Sequence, residues 1–300
     1  MSPLSRYIRH VIEAAAAWTA CIVFGLLPLD VASALGGWLG RCLGPILKGN
    51  HVALHNLALA MPELSPDERQ KVVRDMWDNL GRVLAELPHL GRLDRAGQER
   101  IEITGADHAA EALARGKGVL FLSGHLGNWE LSTLAARKQG ADIAVVYRPP
   151  NNSLVEGLVR RMRRAGASWQ IPKGSAGLRE LVSILGKGGT VGLLVDQKVS
   201  AGIPVPFFGR PAWTAPAPAA LALRFDCPII LARVERLNGA RFRVTVLPPL
   251  DLPRTGDTAA DVLAIMTRIN ATLEGWIRER PSQWLWLHRR WPESGKRNKG

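Results

Sequence analysis

The chain has 300 residues, 47% of them hydrophobic, with 39 Lys and Arg against 26 Asp and Glu, for a formal net charge of +13. This length suits one large domain with a substantial core. The charge predicts an anionic partner, such as nucleic acid, a membrane surface, a phosphorylated lipid or an acidic protein. The three cysteines are scattered without a Cys-x-x-Cys pair, which argues against a disulfide framework or a zinc site. No Walker-type loop and no metal-binding histidine pair is present in the sequence, so we expect no metal and no cofactor.

The N-terminus contains an uncharged, mostly apolar segment over residues 14–29. As a helix it would be about 24 Å long, somewhat short of a hydrocarbon core of ~30 Å. We predict that residues 1–47 form a helical membrane anchor, either spanning the bilayer or inserted in it. A buried amphipathic helix and a cleaved signal peptide are the alternatives, the latter because Ala32-Ser-Ala34 imitates a cleavage site. Two basic residues lie on each side of the segment, so charge predicts no orientation.

Residues 48–95 are predicted to form a helical segment that packs on the core. Its two helices run over His51–Ala60 and Ser65–Leu90. Ser65-Pro-Asp-Glu68 is a strong helix start, with a capping serine, a proline at the first position and acids in the first turn. Six apolar residues recur at helical spacing in the second helix and are expected in the core: Val72, Val73, Met76, Leu80, Val83 and Leu84.

Residues 96–293 alternate between short β-rich runs and helical stretches, which predicts an α/β core: a mixed, mostly parallel sheet flanked by helices. The turn Leu237-Asn-Gly-Ala240 makes one pair of strands antiparallel. The remaining residues, 294–300, are expected to be a disordered tail. The predicted strands are Ile101–Thr104, Val119–Leu122, Ile143–Tyr147, Thr190–Val195, Ile229–Val234 and Phe242–Leu247. The predicted helices lie near Asp107–Arg115, Trp129–Lys138, Ser153–Ala165, Leu178–Gly186 and Asp257–Arg280.

The segment Gly118–Glu130 (GVLFLSGHLGNWE) is the most informative part of the chain. A buried strand ends in a glycine, His125 follows at once, and Glu130 comes five residues later where helical periodicity resumes. If Asn128 caps that helix, Glu130 lies in its first turn and can hold one imidazole nitrogen while the other serves as a general base. The alternative is that His125 is an ordinary hydrogen-bonded residue at the end of a strand.

Further polar groups follow predicted strands, where open α/β sheets bind their ligands. Arg148-Pro-Pro-Asn-Asn152 follows one strand, Asp196-Gln197 another, and Pro204–Arg210 lies a few residues further on. The segment Trp284–Trp291 mixes tryptophans with basic residues. That composition suits either the boundary between water and lipid or a buried aromatic strand.

Together the motifs HLGNWE, YRPPNN, VDQ, PFFGRP and PSQWLWLHRRW resemble those of the bacterial lipid A biosynthesis acyltransferases. These lauroyl/myristoyl enzymes belong to the wider lysophospholipid acyltransferase superfamily. The resemblance runs in the same order from the N-terminal anchor to Trp291. It implies transfer of a fatty acyl group from acyl carrier protein to the hydroxyl of a 3-hydroxyacyl chain on a phosphorylated lipid A precursor.

The resemblance also implies roles for individual residues. His125 would remove the hydroxyl proton and Glu130 would orient the imidazole. Arg163 and Asp196 match the family's other functional positions. Because other arginines lie within 160–164, the alignment leaves open which of them occupies the family's arginine position. Arg148 is a candidate for contact with a phosphate or with the acyl donor.

The implied partners are acyl carrier protein, the lipid A precursor and the anionic inner membrane, and no nucleic acid. We expect the protein in the cell inner membrane with its active site on the cytoplasmic side, where the carrier protein is, and this argues against cleavage of a signal peptide. One alternative is an acyltransferase of the same superfamily that acts on a lysophospholipid or aminolipid. Another is a basic membrane or nucleic-acid-binding protein without catalysis, favoured only by the arginines of 160–164.

Overall fold

The computed structural model describes residues 3–93, 100–164 and 169–291. The tail predicted to be disordered, 294–300, lies outside them. Within the described residues, four helices precede the sheet, and the capping box predicted at Ser65 and Glu68 starts the fourth. Of the apolar residues expected in the core on this helix, Leu84 is exposed, so that part of the prediction is wrong. The bounds are α1 Pro3–Leu26, α2 Leu29–Leu43, α3 Gly49–Ala60 and α4 Pro66–Glu86, with 3-10 turns at Gly44–Ile46 and Leu87–His89.

Helices α2 and α4 cross with their backbones in close approach because both carry glycine at the crossing. A Cβ atom added to Gly36 would lie 2.5 Å from the carbonyl oxygen of Gly81. Gly40, one turn further along α2, faces the backbone of Trp77 in the same way. This is the small-xxx-small packing that lets two helices touch along their main chains.

Among the described residues, one helix is long and apolar enough to cross a membrane, Ser5–Leu26. Almost none of this segment is buried in the protein. The structure therefore does not contain the buried N-terminal helix that was one alternative, and α1 is apolar enough to be a membrane anchor.

The core is the predicted mixed sheet, in the order β1-β9-β8-β2-β5-β3-β4. Neighbouring strands are parallel except β8 and β9, which are antiparallel across the predicted turn. All six predicted strands are present, and β4 is an additional strand at the edge. The bounds are β1 Ile101–Thr104, β2 Val119–Ser123, β3 Ile143–Tyr147, β4 Trp169–Pro172, β5 Thr190–Leu194, β8 Ile229–Asn238 and β9 Arg241–Val246.

Helices flank the sheet, and a separate antiparallel hairpin of β6 and β7 packs on its last helix. The hairpin and α9 were not predicted. Pro204 and Pro206 lie in β6 at exposed positions of this two-stranded ribbon, where the missing N–H groups are tolerated. The bounds are α5 Ala106–Ala114, α6 Leu131–Lys138, α7 Ser153–Arg163, α8 Ser175–Gly186, β6 Ile203–Phe207, β7 Arg210–Thr214, α9 Ala217–Phe225 and α10 Thr258–Glu279.

The register of β2 and β5 determines which side chains meet at the carboxyl edge of the sheet. The two strands are parallel neighbours, and Ser123 pairs with Leu194. His125 and Asp196 each follow two residues later, so the chain leaves both strands with these residues side by side.

Candidate active site

His125 and Asp196 form a hydrogen-bonded pair at this edge. The ring nitrogen Nδ1 of His125 lies 2.8 Å from Oδ1 of Asp196, and the backbone N–H of His125 donates to Oδ2 over 2.7 Å. The indole Nε1–H of Trp284 also donates to Oδ2 over 2.7 Å. The carboxylate is almost completely buried, whereas the imidazole is 14% exposed.

The surroundings of Asp196 keep it ionised. Burial alone raises the pKa of a carboxyl group, but the adjacent His125 ring and the hydrogen bonds from His125 and Trp284 outweigh it, so the pKa of Asp196 lies well below its usual range. A carboxylate at Nδ1 requires that nitrogen to carry the proton, because an anionic oxygen only accepts. The lone pair of the ring is therefore on Nε2, the arrangement needed for a general base.

Glu130 does not hold His125, and the predicted pairing of these two residues is wrong. Its carboxylate instead accepts two hydrogen bonds from Arg163, at 2.8 Å from Nε and 2.5 Å from Nη2. The indole of Trp129 donates to the same carboxylate over 3.1 Å. Glu130 is 10% and Arg163 25% exposed. Such a bidentate pair is geometrically specific, and the hydrogen bond to Glu130 raises the pKa of Arg163 against the effect of burial.

The local backbone explains the difference. Helix α6 begins only at Leu131, so Glu130 occupies the position before the helix rather than its first turn, and Asn128 is not the capping residue. Gly127 adopts φ +55°, a left-handed conformation in which a Cβ would lie 2.5 Å from the carbonyl oxygen of Val234. This turn directs Glu130 away from the histidine.

Asn128 is instead completely buried and donates to Glu86 Oε2 over 2.8 Å. Glu86 forms a buried ion pair with Arg236 and also accepts from Ser33 of α2 over 2.7 Å. The side-chain amide of Asn79 donates to the carbonyl oxygen of Gly127 over 2.9 Å. The loop that carries His125 is thus hydrogen-bonded to the N-terminal helices.

The C-terminal aromatic segment covers the other side of this loop. Leu126 and Trp284 form an antiparallel bridge, and the N–H of Leu285 donates to the carbonyl oxygen of His125 over 3.1 Å. Trp284, Trp286 and Trp291 are buried. The sequence left two interpretations of this segment open. The structure confirms that the segment is buried, and the interpretation that places these tryptophans at the membrane boundary is wrong.

Two polar side chains next to the ring were not singled out from the sequence as site residues. The amide Nε2 of Gln197 lies 3.2 Å from Nε2 of His125 and 2.7 Å from Nε2 of His288. Gln197 is the residue after Asp196, and His288 belongs to the C-terminal segment. Their signal was present in the VDQ and WLWLHRRW motifs, but nothing in the sequence shows that the two motifs meet.

The predicted arginines occupy different places. Arg163 is the member of the 160–164 cluster that reaches Glu130, while Arg160, Arg161 and Arg164 are exposed. Arg148 is exposed directly after β3. It lies near enough to His288 to contribute to lowering the pKa of that ring. Among the described residues, no three His, Cys, Asp or Glu side chains come together as a candidate metal site.

A buried carboxylate on one nitrogen of a histidine, at the carboxyl edge of an α/β sheet, is an arrangement suited to activating a hydroxyl or water nucleophile in a group-transfer enzyme. The family described as bacterial lipid A biosynthesis acyltransferase matches residues 2–293. The chain belongs to this family and is an acyltransferase.

Curated relatives agree with the family assignment. The chain is 28% identical over 272 residues to the lipid A biosynthesis palmitoleoyltransferase of Escherichia coli K12, covering 88% of this chain and 86% of the relative. It is 27% identical over 270 residues to the lauroyltransferase of the same organism, with the same coverage. It is also 25% identical over 236 residues to a phosphatidylinositol mannoside acyltransferase of Mycobacterium tuberculosis, covering 77% of this chain and 72% of the relative.

Proposed function

We propose that this enzyme transfers a fatty acyl group of the lauroyl/myristoyl type from acyl carrier protein to the hydroxyl of a 3-hydroxyacyl chain on a phosphorylated lipid A precursor. The observation that carries the proposal is the hydrogen-bonded pair of His125 and Asp196. It supplies a base whose accepting nitrogen faces away from the buried carboxylate. The family and the lipid A enzymes among the relatives support the acceptor class.

In this mechanism Nε2 of His125 removes the proton of the acceptor hydroxyl while the oxygen attacks the thioester carbonyl. The C–S bond then breaks, and the imidazolium returns its proton to the departing thiolate, so that an ester and a free thiol are formed. Asp196 remains ionised throughout, because its role is to fix the tautomer and stabilise the imidazolium. Proton transfer to a positioned base contributes ~10²–10⁴-fold to the rate.

Glu130 and Arg163 have a second role in the proposal. Glu130 engages Nε and Nη2, which lie on one edge of the guanidinium. The Nη1 group on the remaining side is proposed to bind an oxygen of the substrate. Arg148 is exposed directly after β3, and we propose that it contacts a phosphate of the acceptor or of the donor's prosthetic group. Guanidinium groups suit both tasks because they bind oxyanions with directed N–H groups.

The proposed location is the cytoplasmic face of the anionic inner membrane. Of the 20 exposed large apolar side chains among the described residues, 14 lie between Tyr7 and Leu47. This concentration supports residues 1–47 as the anchor, with 48–95 as a helical support and 96–293 as the catalytic core. The net charge of +13 complements both anionic lipid and an acidic carrier protein.

A second candidate acceptor is a different glycolipid or a lysophospholipid. The glycolipid is favoured by the mycobacterial relative, whose name specifies a phosphatidylinositol mannoside. The same residues would catalyse that reaction, because the base acts on the hydroxyl and not on the sugar that carries it.

The test uses the purified full chain in detergent micelles, with acyl carrier protein charged with lauroyl, myristoyl or palmitoleoyl groups, the acyl groups that the names of the relatives specify. Lipid A precursor and a lysophospholipid are offered as acceptors, and products are identified by mass spectrometry. We expect one added acyl ester on the lipid A precursor and its loss in His125→Ala. The matched control is His108→Ala, since His108 lies on α5 outside the site. Acylation of the lysophospholipid alone would reject the proposed acceptor, and a fully active His125→Ala would reject the base.

A further inference from the structure

Gln197 and His288 lie on the side of His125 that has to receive the proton. We propose that they are positioning residues: the Gln197 amide, held by His288, occupies the accepting nitrogen of the base and keeps it unprotonated until the acceptor hydroxyl takes its place. This inference rests on the proposed function, because it assigns Nε2 of His125 as the proton acceptor.

The hydrogen-bond roles follow from the groups present. Since Nδ1 of His125 donates to Asp196, its Nε2 carries a lone pair and pairs only with a donor. The amide nitrogen of Gln197 has two hydrogens, one for Nε2 of His125 at 3.2 Å and one for Nε2 of His288 at 2.7 Å. Both rings accept in this arrangement, so both are neutral. The centroids of the two rings are 6.1 Å apart, with the amide bridging their nitrogens.

His288 is kept neutral by its surroundings. Burial lowers the pKa of His288, and a proton on His125 would lower it further. The positive charges of Arg148 and Lys173 act in the same direction, whereas the negative charge of Asp196 opposes them. These are the titratable and charged groups that face the ring from the loops after β2, β3, β4 and β5. A neutral ring accepts the amide hydrogen, and it adds no charge that would oppose formation of the imidazolium at His125.

The backbone around His288 is fixed, so its ring is a dependable anchor for the amide. Asn56 of α3 donates from Nδ2 to the carbonyl oxygen of His288 over 2.5 Å and to that of Trp286 over 2.7 Å. Two residues further on, Arg290 is fully buried and donates to the carbonyl oxygen of Trp213 over 2.8 Å. The segment is thereby bonded to α3 on one side and to the hairpin on the other.

The pair has a defined part in the reaction. An arriving hydroxyl donates to Nε2 of His125 and displaces one amide hydrogen, while the other stays on His288. After proton transfer, Nε2 of His125 carries a hydrogen and repels an N–H of the Gln197 amide. The amide nitrogen then keeps its hydrogen bond to Nε2 of His288. Without His288, the amide is able to rotate and present its oxygen to the imidazolium, which stabilises the protonated base and slows return of the proton to the thiolate.

Substitution of His288 should change the pH dependence of acyl transfer. Loss of His288 removes the anchor that keeps the amide as a donor, and it stabilises the protonated form of the base. The acidic limb of the kcat/KM profile should therefore move to higher pH in His288→Ala, by about 0.5–1 pH unit for exchange of one hydrogen-bond role. Gln197→Glu should move it further, by about 1–3 pH units, because a carboxylate would then face the ring. His288→Gln should restore the wild-type limb, since its amide oxygen accepts from Gln197.

The experiment measures kcat/KM against pH for the full chain in micelles, with acyl carrier protein thioester as donor and lipid A precursor as acceptor. The NMR titration of the His125 ring in the free enzyme is followed in parallel. A shift to higher pH in His288→Ala that His288→Gln reverses, in both readouts, supports the proposal. An NMR titration in His288→Ala that superimposes on the wild type overturns it. Because the NMR readout needs no substrate, it decides the inference even if the wild-type enzyme transfers no acyl group from this donor, a result that would reject the proposed function instead.

Discussion

Glu86→Ala perturbs the buried network beneath the catalytic loop. Glu86 is completely buried, and its two oxygens accept from Ser33, from Asn128 and twice from Arg236, the last at 2.5 and 3.0 Å. Alanine leaves the guanidinium of Arg236, itself only 8% exposed, without its carboxylate. Removal of one partner from a buried ion pair costs about 3–5 kcal/mol, because the remaining charge is uncompensated.

The assay is thermal or urea unfolding of the purified chain in micelles, with Glu102→Ala as the matched control. Glu102 pairs with Arg243 at 3.2 Å on the surface, where both side chains are at least 41% exposed, so its loss should cost about 0–1 kcal/mol. For Glu86→Ala we expect a fall in Tm of roughly 6–20 °C, at about 2–4 °C per kcal/mol. If the two variants unfold within 1 kcal/mol of each other (about 2–4 °C), the buried ion pair of Glu86 and Arg236 does not stabilise the fold.

Three other substitutions test the packing and the site. Gly127→Ala forces a side chain into a left-handed position against the Val234 carbonyl, and it should lower kcat by about tenfold or more with little change in far-UV circular dichroism. Gly40→Ala inserts a methyl group against the backbone of Trp77 and should destabilise the fold by about 1–3 kcal/mol in urea titration. Arg163→Lys keeps the charge but loses the bidentate geometry, so KM should rise by about tenfold while the pH profile stays in place. An unchanged KM in that variant would count against a substrate-binding role.

The regular elements were predictable because their signals are local. The strand β2 is a continuous apolar run, and α4 begins with a capping box and carries helical periodicity, so both were predicted from a few residues each. The sequence did not predict the edge strand β4 or the hairpin of β6 and β7, because their segments contain proline and lack a clear alternation of apolar and polar residues.

The partners within the site were less predictable because they depend on strand order. His125 and Asp196 are 71 residues apart, and they meet only because β2 and β5 are neighbours in register. Glu130 is closer to His125 in sequence than Asp196 is. After the left-handed turn at Gly127, however, its carboxylate pairs with Arg163 instead. Likewise the composition of the C-terminal segment is the same whether its tryptophans face lipid or the catalytic loop.

The most direct test of the catalytic pair is kcat for Asp196→Asn. Oδ2 of Asp196 accepts from both the backbone N–H of His125 and the indole of Trp284, so the oxygen of an asparagine would take that place and its NH₂ group would face Nδ1. The ring would then carry its proton on Nε2 and could not act as a base. We predict a loss on the order of 10³–10⁴-fold with the fold retained. Asp107→Asn, on the exposed surface, serves as the control and should be unaffected. An Asp196→Asn enzyme within about tenfold of the wild-type kcat (~1.4 kcal/mol) would contradict the assignment of Asp196 as the residue that orients the base.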